Sequence, residues 1–233
     1  MIREAIVLAG GFGTRLQTVV SEVPKPMAPV AGKPFLQYIL DYLIDQQVDH
    51  VVLAVGYLRE VIIGEFGNAY KSLRLTYSIE EEPLGTGGGI LQACQYTSSD
   101  QVFVINGDTF FHVDLAELAD VHNTNNALLT VALKRMEKFD RYGTVDVNAD
   151  GKIVGFLEKK YLDEGLINGG VYCLNKAVFP ADIPTRFSFE KEILEKEIAN
   201  GRIFGLRSEG YFIDIGIPED YARAQIDFKS LAD

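Results

Sequence analysis

A short apolar run that ends in a glycine-rich turn is the feature that most constrains how this chain folds. Residues 6–9 (IVLA) lead directly into residues 10–15 (GGFGTR), and Lys25 follows between two prolines. Glycines directly after a strand allow consecutive backbone N–H groups to turn inward and form a concave anion site. Arg15 and Lys25 would add fixed positive charge there. The pattern therefore predicts a phosphate-binding loop suited to a nucleoside triphosphate.

Two better-known phosphate motifs do not fit this turn. A Walker A loop would end in Gly-Lys-Ser/Thr, and a dinucleotide fingerprint would need a third glycine where Leu16 stands. The remaining alternative is an ordinary strand-to-helix turn that binds nothing. Arg15 and the segment Pro24-Lys25-Pro26 favour phosphate binding over that alternative.

Composition limits the class of ligand and the cellular setting. The formal net charge of −11 argues against a nucleic-acid or anionic-membrane surface, and suits a small anionic ligand held with a divalent metal. Cys94 and Cys173 both lie in apolar segments, which favours buried reduced thiols and a cytoplasmic setting. The first apolar run is too short for a signal peptide, and no segment has the length of a membrane span. We therefore expect a soluble, cytoplasmic protein.

Apolar strands alternate with helical patterns in the first half of the chain. Nearly continuous apolar strands of this kind predict a parallel sheet covered by helices on both faces, in a Rossmann-like, doubly wound α/β fold. Ligands of such sheets bind beyond the carboxyl ends of the strands, near a switch in strand order. The predicted strands are 6–8, 51–55, 73–79 and 102–105, and the predicted helices are 35–47, 58–68 and 87–97.

The second half, from about residue 128, has more strands and turn signals. Asp150-Gly151 predicts a hairpin turn between two of these strands. Because no linker separates the halves, we expect one domain over residues 1–233. Its mainly parallel mixed sheet would combine a nucleotide-binding half (about 1–127) with a sugar- or acceptor-binding half (about 128–233). The predicted strands are 128–133, 144–147, 153–157 and 167–174, and the predicted helices are 189–199 and 219–229.

Two isolated aspartates fit a magnesium site. Asp108 follows the apolar run VFVIN, and Asp214 lies in the apolar run YFIDIG. Magnesium takes one or two protein carboxylates and completes its shell with phosphate oxygens and water. A buried carboxylate without a partner is costly, so the fold should keep one only where something pairs with it. The alternative is that each aspartate caps a helix or a turn.

Glu80, directly after a predicted strand, fits a guanine base. An ionised carboxylate only accepts hydrogen bonds, and the pairing edge of guanine offers two adjacent donors. Uracil and thymine offer one donor flanked by acceptors, which an amide would suit better. The alternative, a solvated acidic run, describes Glu81 and Glu82 well. Residues 85–89 (GTGGG) open a helix whose free N–H groups would hold base or ribose.

Later residues carry weaker signals. Glu158-Lys159 ends a predicted strand, and Lys159 would neutralise an incoming phosphate or else form a surface ion pair. The three histidines show no metal-ligand spacing, and we expect them at the surface or at strand ends. No Ser/His/Asp or Cys/His arrangement and no zinc-like cluster is visible in the sequence. The histidines are His50, His112 and His122.

Taken in order, these motifs resemble those of the sugar-1-phosphate nucleotidyltransferases, over nearly the whole chain. This resemblance implies the nucleotide-diphospho-sugar transferase (GT-A-like) fold, without the left-handed β-helix that some relatives carry, and a family whose members are commonly homo-oligomers. The motifs are LAGGFGTRL, PKPM, GKP, EEEPLGTGGG, VINGD, RYGTV, EK, INGGVY and YFIDIGIPEDY.

The resemblance also implies roles for particular residues. The catalytic set would be Arg15, Lys25, Asp108, Lys159 and Asp214, with Mg²⁺ held by Asp108 and Asp214. The nucleotide would contact Leu8, Ala9, Gly10, Gly11, Gly13, Thr14, Glu80, Pro83, Gly85, Thr86 and Gly107. The sugar phosphate would contact Asn106, Gly143, Glu158, Lys159 and Asn168.

Within that family, the chain looks most like the guanylyltransferases that act on D-glycero-D-manno-heptose 1-phosphate, because of the combination of SIEEEPLGTGG, FDRYGTV, INGGVY, FSFEKEIL and YFIDIGIPEDY. The implied reaction converts GTP and the sugar 1-phosphate into GDP-sugar and pyrophosphate, for bacterial cell-surface polysaccharides. Mannose-1-phosphate guanylyltransferases share EPLGT and are the nearest alternative, followed by uridylyl- or thymidylyltransferases. A non-catalytic nucleotide-sugar-binding protein and a glycosyltransferase are further alternatives. The former would lack one of the four charged residues Arg15, Lys25, Asp108 and Asp214, and the latter would carry Asp-x-Asp where this chain has Asn106-Gly107-Asp108.

Overall fold

Strands and helices alternate through the computed structural model, which describes residues 1–11, 16, 20, 22–157 and 161–230. The strands are β1 (Glu4–Leu8), β2 (Pro29–Val30), β3 (Lys33–Pro34), β4 (His50–Val55), β5 (Ala69–Tyr70), β6 (Leu73–Ile79), β7 (Gln101–Asn106), β8 (Thr109–Phe111), β9 (Leu129–Phe139), β10 (Thr144–Val147), β11 (Ile153–Leu157), β12 (Leu162–Asn175), β13 (Ile203–Ser208) and β14 (Phe212–Asp214). The helices are α1 (Phe35–Asp45), α2 (Arg59–Phe66), α3 (Gly85–Ala93), α4 (Leu115–Thr124), α5 (Glu195–Glu197) and α6 (Pro218–Ser230).

Four parallel strands form the centre of the main sheet, in the order β6-β4-β1-β7. Strands β1 and β4 are buried along almost their whole length, as apolar strands covered on both faces must be. The chain leaves β1 toward β4 and β6 on one side and later returns to β7 on the other. The strand order therefore reverses between β1 and β7, and the carboxyl ends of these two strands flank the crevice where such sheets bind ligands.

The second half extends the same sheet with antiparallel pairs. The long strand β12 pairs with β7 over residues 171–175 and with β9 along much of its length, while β10 and β11 form a hairpin beside it. Strand β13 adds a parallel partner to β9. Ten strands of the described chain thus share one mixed sheet, which confirms the expected fold class.

Two apolar cores lie on the two faces of the sheet. One contains α1 and α6, where Phe35 and Phe228 meet edge to face at 5.9 Å. The other contains α3 and the segment around Phe187 and Ile193. The sheet is covered on both faces, so its ligands must approach from the strand ends.

Most predicted elements are confirmed, with local differences. Strands 73–79, 144–147 and 153–157 have the predicted bounds, and Gly151 turns the β10–β11 hairpin at a φ of +78°. Both cysteines are free and buried. Strand β12 begins at residue 162 rather than 167, because its first residues pair with the far end of β9. None of the helices in the described ranges is long and apolar enough to cross a membrane.

One expectation is wrong. His122 is not at the surface or at a strand end, because it lies in α4 with no exposed area and its Nδ1 is 3.1 Å from the Thr130 hydroxyl. Burial lowers the pKa of this imidazole to about 4. The predicted helix over 189–199 is confirmed, and it consists of a π-helical turn (Glu190–Leu194), α5 and a 3₁₀ turn (Ile198–Asn200).

Candidate active site

The ends of β1 and β7 approach each other through Gly107. Its backbone N–H donates to the Leu8 carbonyl at 2.9 Å, and a Cβ built at residue 107 would lie only 2.5 Å from that oxygen. Only glycine fits this approach. It places Asn106 and Asp108 beside the start of the glycine-rich turn, where Ala9 donates to the Ala54 carbonyl at 2.8 Å.

Lys25 joins two carboxylates that come from distant parts of the chain. Its Nζ lies 2.7 Å from Asp108 Oδ2 and 3.4 Å from Asp214 Oδ1. Lys25 occupies a 3₁₀ turn between the buried Pro24 and Pro26, and only 10% of its side chain is exposed. The structure therefore brings together three of the predicted catalytic residues.

Backbone pairing fixes the two aspartates relative to each other. Strands β8 and β14 pair antiparallel with Asp214 opposite Thr109, and the Ile215 N–H donates to the Asp108 carbonyl at 3.1 Å. Gly216 closes the cradle, since its N–H donates to Asp214 Oδ1 at 2.7 Å. A Cβ at residue 216 would lie 2.8 Å from that oxygen and 2.9 Å from Lys25 Nζ. A larger residue would thus fill the space around the carboxylates.

A positive charge stabilises the ionised form of Asp214 in this cluster. Burial raises the pKa of Asp214, the negative charge of Asp108 raises it further, and the Lys25 ammonium acts in the opposite direction. Two carboxylates that converge on one cation, with a glycine leaving room beside them, fit a divalent metal ion that has two protein ligands and completes its shell with phosphate oxygens and water.

Glu80 lies between the glycine-rich turn and α3. Its Oε2 accepts the Leu84 N–H at 3.0 Å, and hypothetical Cβ atoms at Gly10 and Gly89 would lie 3.0 and 2.9 Å from its Oε1. Burial raises the pKa of this carboxyl. Glu80 is half-buried against glycines on both sides, next to the glycine-rich turn, which is a placement suited to a base-reading group.

The glycines at the start of α3 receive a segment of the second half instead of leaving their N–H groups free. The Gly87 N–H donates to the Phe187 carbonyl at 3.0 Å, and the Phe187 N–H donates to the Leu84 carbonyl at 3.0 Å. Cβ atoms at Gly85 and Gly87 would lie 2.5 Å from the Phe187 carbonyl oxygen and 2.1 Å from its ring. The N–H of Gly87 is therefore not available to a base or ribose, whereas Pro83, Gly85 and Thr86 stay exposed.

The predicted sugar contacts Asn106 and Asn168 lie on either side of Gly170. A Cβ at Gly170 would lie 2.7 Å from the Asn106 amide nitrogen, and the Gly170 N–H donates to Asn168 Oδ1 at 3.0 Å. The Asn168 amide also donates to the Tyr172 hydroxyl at 2.8 Å. A register shift in the β12–β9 pair makes this possible, because it redirects the chain between Asn168 and Tyr172.

Strand register brings a third sugar candidate to the same region. Thr144, which follows Gly143, pairs with both Leu157 on β11 and Ile167 on β12. Each partner directly precedes a predicted sugar contact, Glu158 or Asn168. Five of the predicted site residues lie outside the described residues: Gly13, Thr14, Arg15, Glu158 and Lys159.

Sequence reasoning missed two residues of this region. Tyr172 is almost fully buried, and burial raises the pKa of its hydroxyl, with further contributions from the charges of Glu190 and Asp108. Glu190 accepts hydrogen bonds from Thr86 and Ser188, both at 2.8 Å. Tyr172 lies in the motif INGGVY as a polar ring in an apolar strand, and Glu190 lies in the motif FSFEKEIL, but neither motif alone gives its residue a role.

The chain belongs to the nucleotidyl transferase family, whose model matches residues 4–230. It is 52% identical over 223 residues to the D-glycero-alpha-D-manno-heptose 1-phosphate guanylyltransferase of Aneurinibacillus thermoaerophilus, covering 95% of this chain and 96% of that protein. The corresponding enzyme of Campylobacter jejuni is 44% identical over 219 residues, covering 94% and 96%.

A solved structure shares the fold closely. The crystal structure of HddC from Yersinia pseudotuberculosis, complexed with GMP-PN, superposes with a TM-score of 0.88 at 37% identity and covers 97% of this chain and 100% of that one. These comparisons confirm the expected family and the expected α/β fold class.

Proposed function

We propose that this protein transfers GMP from GTP to D-glycero-α-D-manno-heptose 1-phosphate and releases pyrophosphate. The observation that carries the proposal is the Lys25 ammonium shared by Asp108 and Asp214 beside the glycine-rich turn. The similarity to heptose 1-phosphate guanylyltransferases along nearly the whole chain supports the choice of sugar.

The reaction joins two anions, so alignment and charge compensation are what the protein must supply. A phosphate oxygen of the sugar 1-phosphate forms a bond to the α-phosphorus of GTP, and the bond from that phosphorus to the β-phosphate bridging oxygen breaks. The attacking phosphate is already ionised near neutral pH, so no general base is required.

Each group around the cleft has a defined task in this proposal. Lys25 holds the α-phosphate region, and Gly10 and Gly11 offer backbone N–H groups to the triphosphate. Arg15 and Lys159, known here from the sequence alone, would stabilise charge on pyrophosphate and on the incoming sugar phosphate. Mg²⁺, when bound by Asp108 and Asp214, would lower the repulsion between the two reacting phosphates.

Guanine recognition is assigned to Glu80. Its Oε1 lies against Gly10 and Gly89, and Oε2 accepts the Leu84 N–H. A carboxylate in that position can accept from N1–H and the 2-amino group of guanine together. Uracil and thymine lack the second donor, so the same carboxylate disfavours them.

The experiment is a matrix of pyrophosphate-release assays. GTP, ATP, CTP, UTP and dTTP are each combined with heptose, mannose, glucose and N-acetylhexosamine 1-phosphates in the presence of Mg²⁺. We expect release with GTP, and the highest kcat/KM with the heptose substrate. A preference for mannose 1-phosphate would replace the sugar assignment, and a preference for UTP or dTTP would replace the base assignment. Absence of release with every pair would favour a binding protein.

A further inference from the structure

The proposed transfer of GMP assigns no role to the carboxylate of Glu190. It begins the π-helical turn Glu190–Leu194, and such turns are frequent at functional sites. Its Oε2 accepts the Ser188 hydroxyl and the Thr86 hydroxyl, each at 2.8 Å. The bonds that the described residues make to Glu190 all reach this one oxygen, so Oε1 keeps its capacity to accept.

The hydrogen bond from Thr86 has a fixed direction. The Phe189 N–H donates to Thr86 Oγ1 at 2.9 Å, so the hydroxyl accepts from the backbone and must place its own proton on Glu190. The segment that carries Glu190 is itself held on α3 through Phe187. Glu190 is thus an oriented carboxylate and not a freely rotating surface acid.

Glu190 lies close to the predicted sugar contacts. The ring of Phe189, its neighbour in the chain, packs edge to face on the ring of the buried Tyr172 at 5.6 Å, and the Tyr172 hydroxyl accepts from the Asn168 amide. Gly170 in turn connects Asn168 to Asn106, two residues before Asp108. A molecule that lies along the two asparagines would reach Lys25 and its two carboxylates at one end and Glu190 at the other.

A sugar 1-phosphate has matching ends. Its hydroxyl groups donate hydrogen bonds, which a carboxylate accepts, whereas its phosphate is repelled by a carboxylate and attracted by an ammonium. We infer that Glu190 Oε1 accepts a hydrogen bond from a hydroxyl of the sugar 1-phosphate, and that Thr86 and Ser188 position this carboxylate. This rests on the proposed function and adds a residue that selects and orients its second substrate.

The inference gives Thr86 a different task from the one the sequence indicates. Its hydroxyl is committed to Glu190 and Phe189, so Thr86 acts through Glu190 on the sugar and does not hold the nucleotide. The neighbouring Gly85 and Gly87 serve the same purpose, since side chains there would displace the segment that presents Glu190.

The test compares Glu190→Gln with Glu195→Gln. A glutamine at 190 can still accept from Thr86 and Ser188 through its oxygen, but it then turns an NH₂ donor toward the sugar hydroxyl. Glu195 is exposed on the same segment, so its variant removes the same charge and serves as the control. For Glu190→Gln we expect the KM for sugar 1-phosphate to rise about 10- to 100-fold, as for a lost hydrogen bond to a charged group, with the KM for GTP unchanged.

Two further experiments distinguish a direct hydrogen bond from Glu190 to the sugar from a purely structural role of this residue. Among analogues of the sugar 1-phosphate that lack a single hydroxyl group, we expect one to be a poor substrate for the wild type. Glu190→Gln should use that analogue as well as it uses the full sugar 1-phosphate. Thr86→Val should raise the KM for sugar 1-phosphate less than Glu190→Gln does, and the double variant should be no worse than Glu190→Gln alone. Thermal unfolding of each variant checks that it folds.

The outcomes are distinguishable from failure of the proposed function, because the wild type is assayed first with GTP and each sugar 1-phosphate. If the wild type turns over and Glu190→Gln behaves like Glu195→Gln, the inference is overturned while the proposed function stands. A rise in the KM for GTP in either Thr86→Val or Glu190→Gln would also overturn it. If the wild type releases no pyrophosphate from any pair, the proposed function itself fails.

Discussion

The two sides of the cleft are built by different means. On the side formed by the first half of the chain, the candidate site residues follow parallel strands within two residues: Gly10 after β1, Glu80 after β6 and Asp108 after β7. On the side formed by the second half, Asn168 lies within the long antiparallel strand β12, and Glu190 is carried by a segment docked on α3.

The two sides therefore differ in how freely their site residues can change. The carboxyl ends of parallel strands necessarily meet at one edge of a sheet, so the first side is fixed by the core. The second side depends on strand register and on how a loop docks, and both can change without altering the central sheet. We therefore expect changes on the first side to affect GTP or all turnover, and changes on the second side to affect the sugar substrate selectively.

The largest effect is expected where the two sides meet. Lys25→Ala removes the ammonium that joins Asp108 to Asp214, so turnover should fall by about 10²- to 10³-fold with every substrate pair. Pyrophosphate release under saturating conditions measures this loss. Lys33→Ala, an exposed lysine of the nearby β2–β3 hairpin, is the matched control and should retain full turnover. Wild-type turnover in Lys25→Ala would show that catalysis does not need the contact of Lys25 with both aspartates.

A change confined to the first side should alter the nucleotide alone. Glu80→Gln replaces an acceptor by a donor on one side of the base pocket, so the KM for GTP should rise about 10- to 100-fold relative to that for UTP. Steady-state kinetics with both nucleotides at saturating sugar 1-phosphate test this. Glu82→Gln, an exposed neighbour, should leave the ratio unchanged. An unchanged ratio in Glu80→Gln would remove the argument for guanine.

A change at the contact between α3 and the docked segment should act on the second side. In Gly87→Ala, the new methyl group would lie 2.1 Å from the Phe187 ring, so the segment must shift and stability should fall by about 1–3 kcal/mol. Because the segment carries Glu190, the KM for sugar 1-phosphate should rise more than the KM for GTP. Gly64→Ala, in α2 with no atom within 4 Å of the new Cβ, is the control and should be neutral or slightly stabilising. Equal changes in both KM values would contradict the selective role.

A last effect, on stability at low pH and not on turnover, concerns the contact between α4 in the first half and β9 in the second. His122 in α4 packs beside Thr130 of β9, and burial holds its pKa at about 4, below its ordinary 6.5. The unfolded chain therefore takes up a proton that the folded chain does not, and stability is lost as the pH falls from about 6.5 to 4, by at most ~1.4 kcal/mol per pH unit. Chemical denaturation of wild type and His122→Gln over this range measures the slope. The variant should lose the part of the slope that His122 causes, and identical slopes would count against the assignment.

Much of the first side could be predicted from sequence because its patterns are local. Apolar runs define β1, β6 and β7, and each is followed within a few residues by a glycine or an acid that the chain needs at a strand end. The pair Asp108 and Asp214 could also be proposed, since each is an isolated acid next to apolar residues. That Lys25 Nζ would lie between them was not predictable, because the contact depends on pairing of β8 with β14.

The second side resisted prediction because its determinants are not local. The glycines of GTGGG are typical of ligand contacts, but they are needed for the approach of Phe187 from a hundred residues away in the chain.

Helix α4 shows the opposite case, in which a local signal was present but not used. Asp114 caps it by accepting from the N–H groups of Ala116 and Glu117, and such a cap is readable from sequence.

The central claim is that Asp108 and Asp214 act as one centre although they come from different halves. A double-mutant cycle of pyrophosphate release, with Asp108→Asn, Asp214→Asn and both together, tests it most directly, and Asp182→Asn, an exposed aspartate, is the control. We expect each single variant to lose about 10²- to 10³-fold in turnover and the double variant to lose no more than the worse single variant. Losses that multiply, or an Asp214→Asn variant with wild-type turnover, would contradict the claim.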